Sequence, residues 1–321
     1  MFGYVLRESF TQYPQVLTAK GIQRRLNISY NAARLLKRRV QLLASDQMEG
    51  VKRLMREELR TKFKDFQFPR DPDTDLTKYT EKHSIPQADT VVLYSASQRA
   101  NKGRKRHRHG GQTASIFLSD RLGGKQVGTL THILSWKQGP LVIDSIPDQR
   151  MGTIKPVLDE ILSPHTPVFT DEGYRFLYRL NRNHRMINHS ARSPDRRWQW
   201  ARDRWSKNGV HSQVAEGNGR LLKQAFSAYG WVSPEYSPLY LNEYSFIKSS
   251  SYYSMEEIAR ATRRQKGVHS SGVSSEGHAK VRSPRVSRKD NVRPFRTKLY
   301  DENTGSGTVP RDLLAFGLSN R

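Results

Sequence analysis

The chain contains no cysteine, which excludes disulfide scaffolds, cysteine-based zinc ribbons and thiol nucleophiles together. It also lacks any run of about eighteen apolar residues, so no stretch reads as a bilayer span. The first residues, MFGYVLRESFTQYPQ, carry an acid and no continuous apolar stretch, so no secretory signal is expected. Acids are scarce: 30 Asp plus Glu against 55 Lys plus Arg leave a formal charge of +25 over 321 residues. That imbalance argues against an ordinary enzyme surface and for a polyanionic partner, most often nucleic acid. The expectation is an intracellular protein facing nucleic acid, with no membrane partner. It would be cytoplasmic and nucleoid-associated in a bacterium, or nuclear in a eukaryote.

Residues 1–64 read as a helical region. Within Thr18–Ala44, Ile22 and Leu26 share one helical face and Asn27-Ile28-Ser29 makes a short break. Ser29 can cap a second helix whose apolar Ala33, Leu36, Val40 and Leu43 recur at three- and four-residue steps. This is the pattern of a helix-turn-helix at about 18–44, with Asn31, Arg34, Lys37 and Arg38 offered to phosphates and base edges. A plain helical hairpin with a solvated basic face has the same pattern. Met48–Lys64 reads as a further charged helix, and 65–88 as a polar linker bearing proline.

From 89 to 250 the periodicity changes. Thr90–Ser95, Thr113–Leu118, Gln126–Trp136 and Pro140–Ile146 are short β-rich runs between turn residues. A helix follows at Met151–Leu162, then a strand at Pro167–Thr170 ending at Asp171, a helix at Tyr174–Leu180 and a strand at Arg185–Asn188. Three strands, helix, strand, helix, strand is the order of a mixed α/β, ribonuclease-H-like five-stranded sheet with flanking helices, though other α/β folds share the composition. Between the first two runs, Arg99, Lys102, Arg104, Lys105, Arg106 and Arg108 fall within ten residues, either as solvated charge or as a phosphate contact. A short helix at 251–265 and a basic tail at 266–321, expected to be mostly disordered, complete the chain.

Two places carry chemistry. Asp171, at a strand's carboxyl end, faces the crevice where α/β folds bind ligands. Glu216 and Lys223 lie seven residues apart, so at about 100° per residue they share one helix face. They suit a metal and a phosphate side by side, or form an ordinary pair of surface charges. Trp198, Trp200 and Trp205 lie among arginines, suited either to stacking on an unpaired base or to packing in a core.

FTDEGYRFLYRLNRNHRMINHS, then GVHSQVAEGNGRLLK, then YLNEYSFI resembles the IS-XO-two-like, Merlin-related insertion-sequence group of DDE transposases over Val91 to Phe246. The matching positions are Asp171, Glu172, Tyr174, His184, Asn188, His189, Ser190, Gly209, His211, Gln213, Glu216, Lys223, Tyr240, Leu241, Glu243 and Phe246. The resemblance implies DNA transposition by two-metal phosphoryl transfer, with Mg²⁺ or Mn²⁺ held by Asp171 and Glu216. It implies Lys223 on phosphate near the cleaved end, and His184, His189 and His211 orienting the site or touching DNA. Duplex DNA, as element ends and as target, is the implied partner, and a homodimer the usual assembly.

One departure bears on activity. The family's first acid stands in a Val-x-Val-Asp-Glu-Thr pattern, and aligning Ser97 with its Thr puts Ser95 in the acid's place. Asp89 lies six positions earlier, too far along a strand at about 3.3 Å per residue to substitute. The sequence therefore predicts impaired catalysis, leaving a domesticated or degenerate DNA-binding protein as the alternative to a working transposase. A basic RNA-associated protein is a third reading.

Overall fold

The structure is a computed structural model that describes residues 1–71, 73–94, 106–109, 116–119, 125–126, 128–180 and 183–270. Ser95, Lys102, Arg104, Lys105 and the tail beyond residue 270 lie outside them. Three helices open the chain: α1 (Phe2–Gln12), α2 (Ala19–Leu26) and α3 (Tyr30–Lys62). The Thr18 hydroxyl caps α2 by accepting from Gly21 N at 3.1 Å, and Ser29 caps α3 by accepting from Ala32 N at 3.2 Å. Asn27, at φ 50°, ends α2 in the left-handed conformation that asparagine tolerates better than most residues.

The break between α2 and α3 falls where the sequence puts it, but α3 is far longer than a recognition helix. Its 33 residues run unbroken through the two helices read separately from the sequence. Ala33, Leu36, Val40, Ala44, Met48, Val51, Met55 and Leu59 form one buried stripe along it. The first part of that stripe packs with Val5, Leu17 and Ile22 in a small helical core. The rest packs into the main core beneath the sheet, so residues 1–64 are not a body of their own. The segment read as a linker is likewise structured. It holds α4 (Thr77–Lys82), and Phe68, Leu76 and Ile85 pack with Phe169 and Val210.

The main sheet has five strands: β1 (Gln87–Leu93), β5 (Thr129–Ser135), β6 (Leu141–Ile146), β7 (Val168–Asp171) and β8 (His184–Ile187). Their order is β6-β5-β1-β7-β8, with β1 antiparallel to β5 and parallel to β7. This mixed α/β arrangement is ribonuclease-H-like, as expected. Strands β2 (Arg106–His109), β3 (Ile116–Ser119) and β4 (Lys125–Gln126) form a separate small sheet. The second β-rich run thus belongs to that sheet and not to the main one. Helices α5 (Met151–Asp159) and α6 (Leu177–Leu180) flank β7 in sequence, and α7 (Gln213–Phe226), α8 (Ser237–Ser249) and α9 (Met255–Ser270) follow.

The sheet is covered on both faces. Val91, Leu93, Ile133 and Ile143 meet Leu222, Ala225 and Phe226 of α7 and Leu241 and Tyr244 of α8. Ala88, Leu130, Leu134 and Val142 meet α3, α5 and Ile258 of α9 on the other face. No helix among the described residues is long and apolar enough to cross a membrane.

Candidate active site

Strand β1 begins three residues earlier than the sequence suggests, at Gln87, and this places Asp89 inside the strand. The parallel register pairs Gln87 with Phe169 and Ala88 with Thr170, so the next step along sets Asp89 beside Asp171. Neighbouring strands lie about 4.8 Å apart, so the two carboxylates share one locality. Strand alternation puts Asp89 on the same face as Gln87 and Val91, the face that α7 covers. Gln87 Oε1 accepts from Val214 N at 2.8 Å, fixing the first turn of α7 against β1. A side-chain carbon at Gly219 would fall 2.7 Å from Val91 Cγ2, so the glycine lets α7 lie close on the strand. Glu216 stands in the first turn of that helix and Lys223 in its last.

The electrostatics report the same convergence. Burial, then the Asp171 and Glu216 carboxylates, push the Asp89 carboxyl up to about 7, while Lys223 opposes the shift. Burial also raises Asp171, with Glu172 and Glu216 adding to it. The Gly173 N–H, which donates to Asp171 Oδ1 at 2.9 Å, and His189 pull the other way. Tyr174 is fully buried behind the acids, and burial and then Asp89 and Asp171 raise its hydroxyl.

The histidines divide. His189 Nε2 lies 2.8 Å from Glu216 Oε1 and 2.9 Å from Ser212 Oγ, and its Nδ1 lies 3.0 Å from the Arg204 carbonyl. The Ser212 hydroxyl also donates to Glu216 Oε1. His211 Nδ1 lies 3.2 Å from Gln87 Nε2, on the link between β1 and α7. His184 is turned inward. It is fully buried, Thr170 Oγ1 stands 2.7 Å from its Nε2, and burial depresses it to about 3.

The expected basic face of α3 is also revised. Asn31 and Arg34 are exposed, but Lys37 is buried and its Nζ lies 2.6 Å from Glu243 Oε1 on α8. Lys37 points inward because α3 packs along α8. Arg38 is half-buried, its guanidinium 5.5 Å from the Tyr236 ring centre. Arg106 and Arg108, read from the sequence as lying between two strands, lie within a strand of their own, β2.

Asp89 is the residue that sequence reasoning set aside. The signal was present in Asp89-Thr90, which keeps the Asp and Thr of the family's pattern one residue short. Among the described residues, no three histidine, cysteine or carboxylate side chains are gathered tightly enough to hold one metal ion.

The sheet is ribonuclease-H-like, with Asp89 within β1, Asp171 at the end of the neighbouring parallel strand β7 and Glu216 on the covering helix. Residues 87–248 match the ISXO2-like transposase domain, and the chain belongs to that family. No curated protein and no solved structure matches it. Insertion-sequence transposition, an activity on DNA, is therefore the setting of this site.

Proposed function

We propose that the protein is a transposase whose carboxylate set is Asp89, Asp171 and Glu216. The observation that carries this reading is the β1–β7 register, whose next step brings Asp89 beside Asp171, with the electrostatic effect of Asp171 on Asp89 in support. On this reading the first acid is the carboxylate within β1 and not a residue at Ser95, in place of the expectation of lost chemistry. The donor type suits a divalent ion: these are carboxylate oxygens, and Asp89 is raised by burial and then by its acidic neighbours, a repulsion that Mg²⁺ or Mn²⁺ would relieve on drawing the three together. When bound, such ions polarise the attacking and leaving oxygens of a phosphodiester.

The chain's own residues supply the rest. Asp171 is held by the Gly173 N–H, and Glu216 by Ser212 and His189, so each presents a fixed carboxylate. Lys223, exposed on the last turn of α7, offers a cation to a phosphate beside them. His189 acts on Glu216 as a positioning residue, and His211 does so on α7 through Gln87. Asn31, Arg34 and the basic stretch 99–108 extend the contact to duplex DNA, as element ends and as target.

Strand nicking on DNA carrying the element's ends tests the reading. Mn²⁺-dependent cleavage abolished by Asp89→Asn, Asp171→Asn and Glu216→Gln, and retained by Ser95→Ala, supports it. Binding to the same DNA with no cleavage under any divalent ion would instead establish the non-catalytic alternative.

A further inference from the structure

The segment between β8 and α7 has little regular structure, yet it is tightly organised. Arg192 and Trp200 form an antiparallel bridge and Ala201 N donates to the Ala191 carbonyl at 2.9 Å. Residues 191–201 thus close as a loop with Trp198 toward its far end. Behind the loop, cations and rings follow one another. The Arg192 guanidinium lies 4.4 Å from the Trp200 ring centre, and Arg204 lies 4.9 Å from Trp200 and 4.8 Å from Trp205. The Trp205 ring lies 4.8 Å from that of His189, whose Nε2 reaches Glu216. A chain of contacts therefore leads from the loop to one of the three carboxylates.

The sequence allowed these tryptophans a place in a core, and the structure puts them at the surface. Trp198 is 67% exposed, Trp205 47% and Trp200 38%. Trp198 has no ring or cation partner among the described residues. Arg197 is tied to Asp195 at 2.7 Å, whereas Arg192, Arg196, Arg202 and Arg204 form no ion pair among the described residues. The open Trp198 ring, with Arg196 and Arg202 free of ion pairs and ring contacts among the described residues, meets the two requirements of single-stranded nucleic acid, a surface for bases and cations for its phosphates. A duplex offers the arginines its phosphates but keeps its bases stacked and away from the ring.

We propose that the Trp198 loop is a docking platform for unpaired nucleotides of a DNA strand led to the carboxylates, with a base stacked on Trp198 and phosphates on Arg196 and Arg202. This rests on the reading of the chain as acting on DNA, and adds that the site takes a frayed or extended strand in preference to a flush duplex.

The full-length protein, in chelator, is titrated with a blunt duplex and with the same duplex bearing a short single-stranded extension, reading anisotropy and tryptophan emission. The extended duplex binds more tightly and quenches emission. Trp198→Ala weakens it about tenfold, within the range for loss of one stacked base. Trp198→Phe keeps most of the preference, and blunt-duplex affinity and thermal midpoint stay as in the wild type. Equal binding of the two duplexes by the wild type, or equal weakening of both by Trp198→Ala, overturns the platform while leaving DNA binding intact. Failure to bind either duplex overturns the platform and the DNA reading together.

Discussion

At the residue scale, Asp89 ties stability to chemistry. Its carboxyl is raised to about 7 from an ordinary 3.8, so the folded state holds this proton over a range where the unfolded state has lost it. Stability contributed through Asp89 therefore falls as pH rises from about 4 to about 7, and stays low above that. Asp89→Asn removes the charge and keeps an oxygen for the Thr90 N–H, now bonded at 2.7 Å. The variant should be more stable than the wild type, by a margin that widens between pH 4 and 7. The margin reaches at most about 4 kcal/mol, from 1.36 kcal/mol per pKa unit. Thermal melts of both proteins at pH 5 and pH 8 measure it. A constant margin would mean that Asp89 does not titrate in this range. The same acid was hard to read from sequence, because its raised pKa comes from burial and then from partners on β7 and α7, more than eighty residues away.

At the element scale, two packing devices hold the site. Strand β6 is a sheet edge, and its outward N–H groups are covered by serines of α8. Leu141 N donates to Ser249 Oγ and Ile143 N to Ser245 Oγ, each at 3.1 Å. The four-residue spacing of these serines matches one helix face to alternate residues of the strand. Ser245→Ala should strand the Ile143 N–H in a buried position and cost about 1–3 kcal/mol in chemical denaturation. A loss below about 0.5 kcal/mol, the lower limit for a hydrogen bond, would show that the N–H finds another partner.

The second device is Gly219, which lets α7 approach Val91. Gly219→Val forces overlap with a stiff β-branched side chain, an overpacking cost of about 1–3 kcal/mol, and moves Glu216 away from Asp89. Unfolding and nicking should both suffer, and wild-type values of both would refute the close approach. Most strands of the main sheet, α2 and the start of α3 were legible because their apolar periods and caps are local. The extent of α3 and the start of β1 were not. Burial of Ala44–Leu59 and pairing of Gln87–Asp89 depend on partners distant in sequence.

At the scale of the whole molecule, a formal charge of +25 leaves many cations without acidic partners. Duplex affinity should fall linearly on a log–log plot against salt, with a slope near −0.9 per phosphate contacted. Six or more contacts predict a loss of about 10³ or more between 50 and 200 mM salt, and a slope shallower than about −2 would contradict a backbone-dominated interface. Charge was readable from composition, and the fold class from element order. Which cations stay available was not: Lys37 matched an exposed helix face by spacing but is consumed by Glu243 across the α3–α8 contact.

Binding of Mn²⁺ decides which residue completes the carboxylate set, without any need for turnover. Calorimetric titration of the wild-type, Ser95→Ala and Asp89→Asn proteins should give equal affinities for the first two and a loss of about tenfold or more for the third, the scale of one charge-assisted ligand. Unchanged binding by Asp89→Asn, with a loss in Ser95→Ala, would contradict the register on which the site is built.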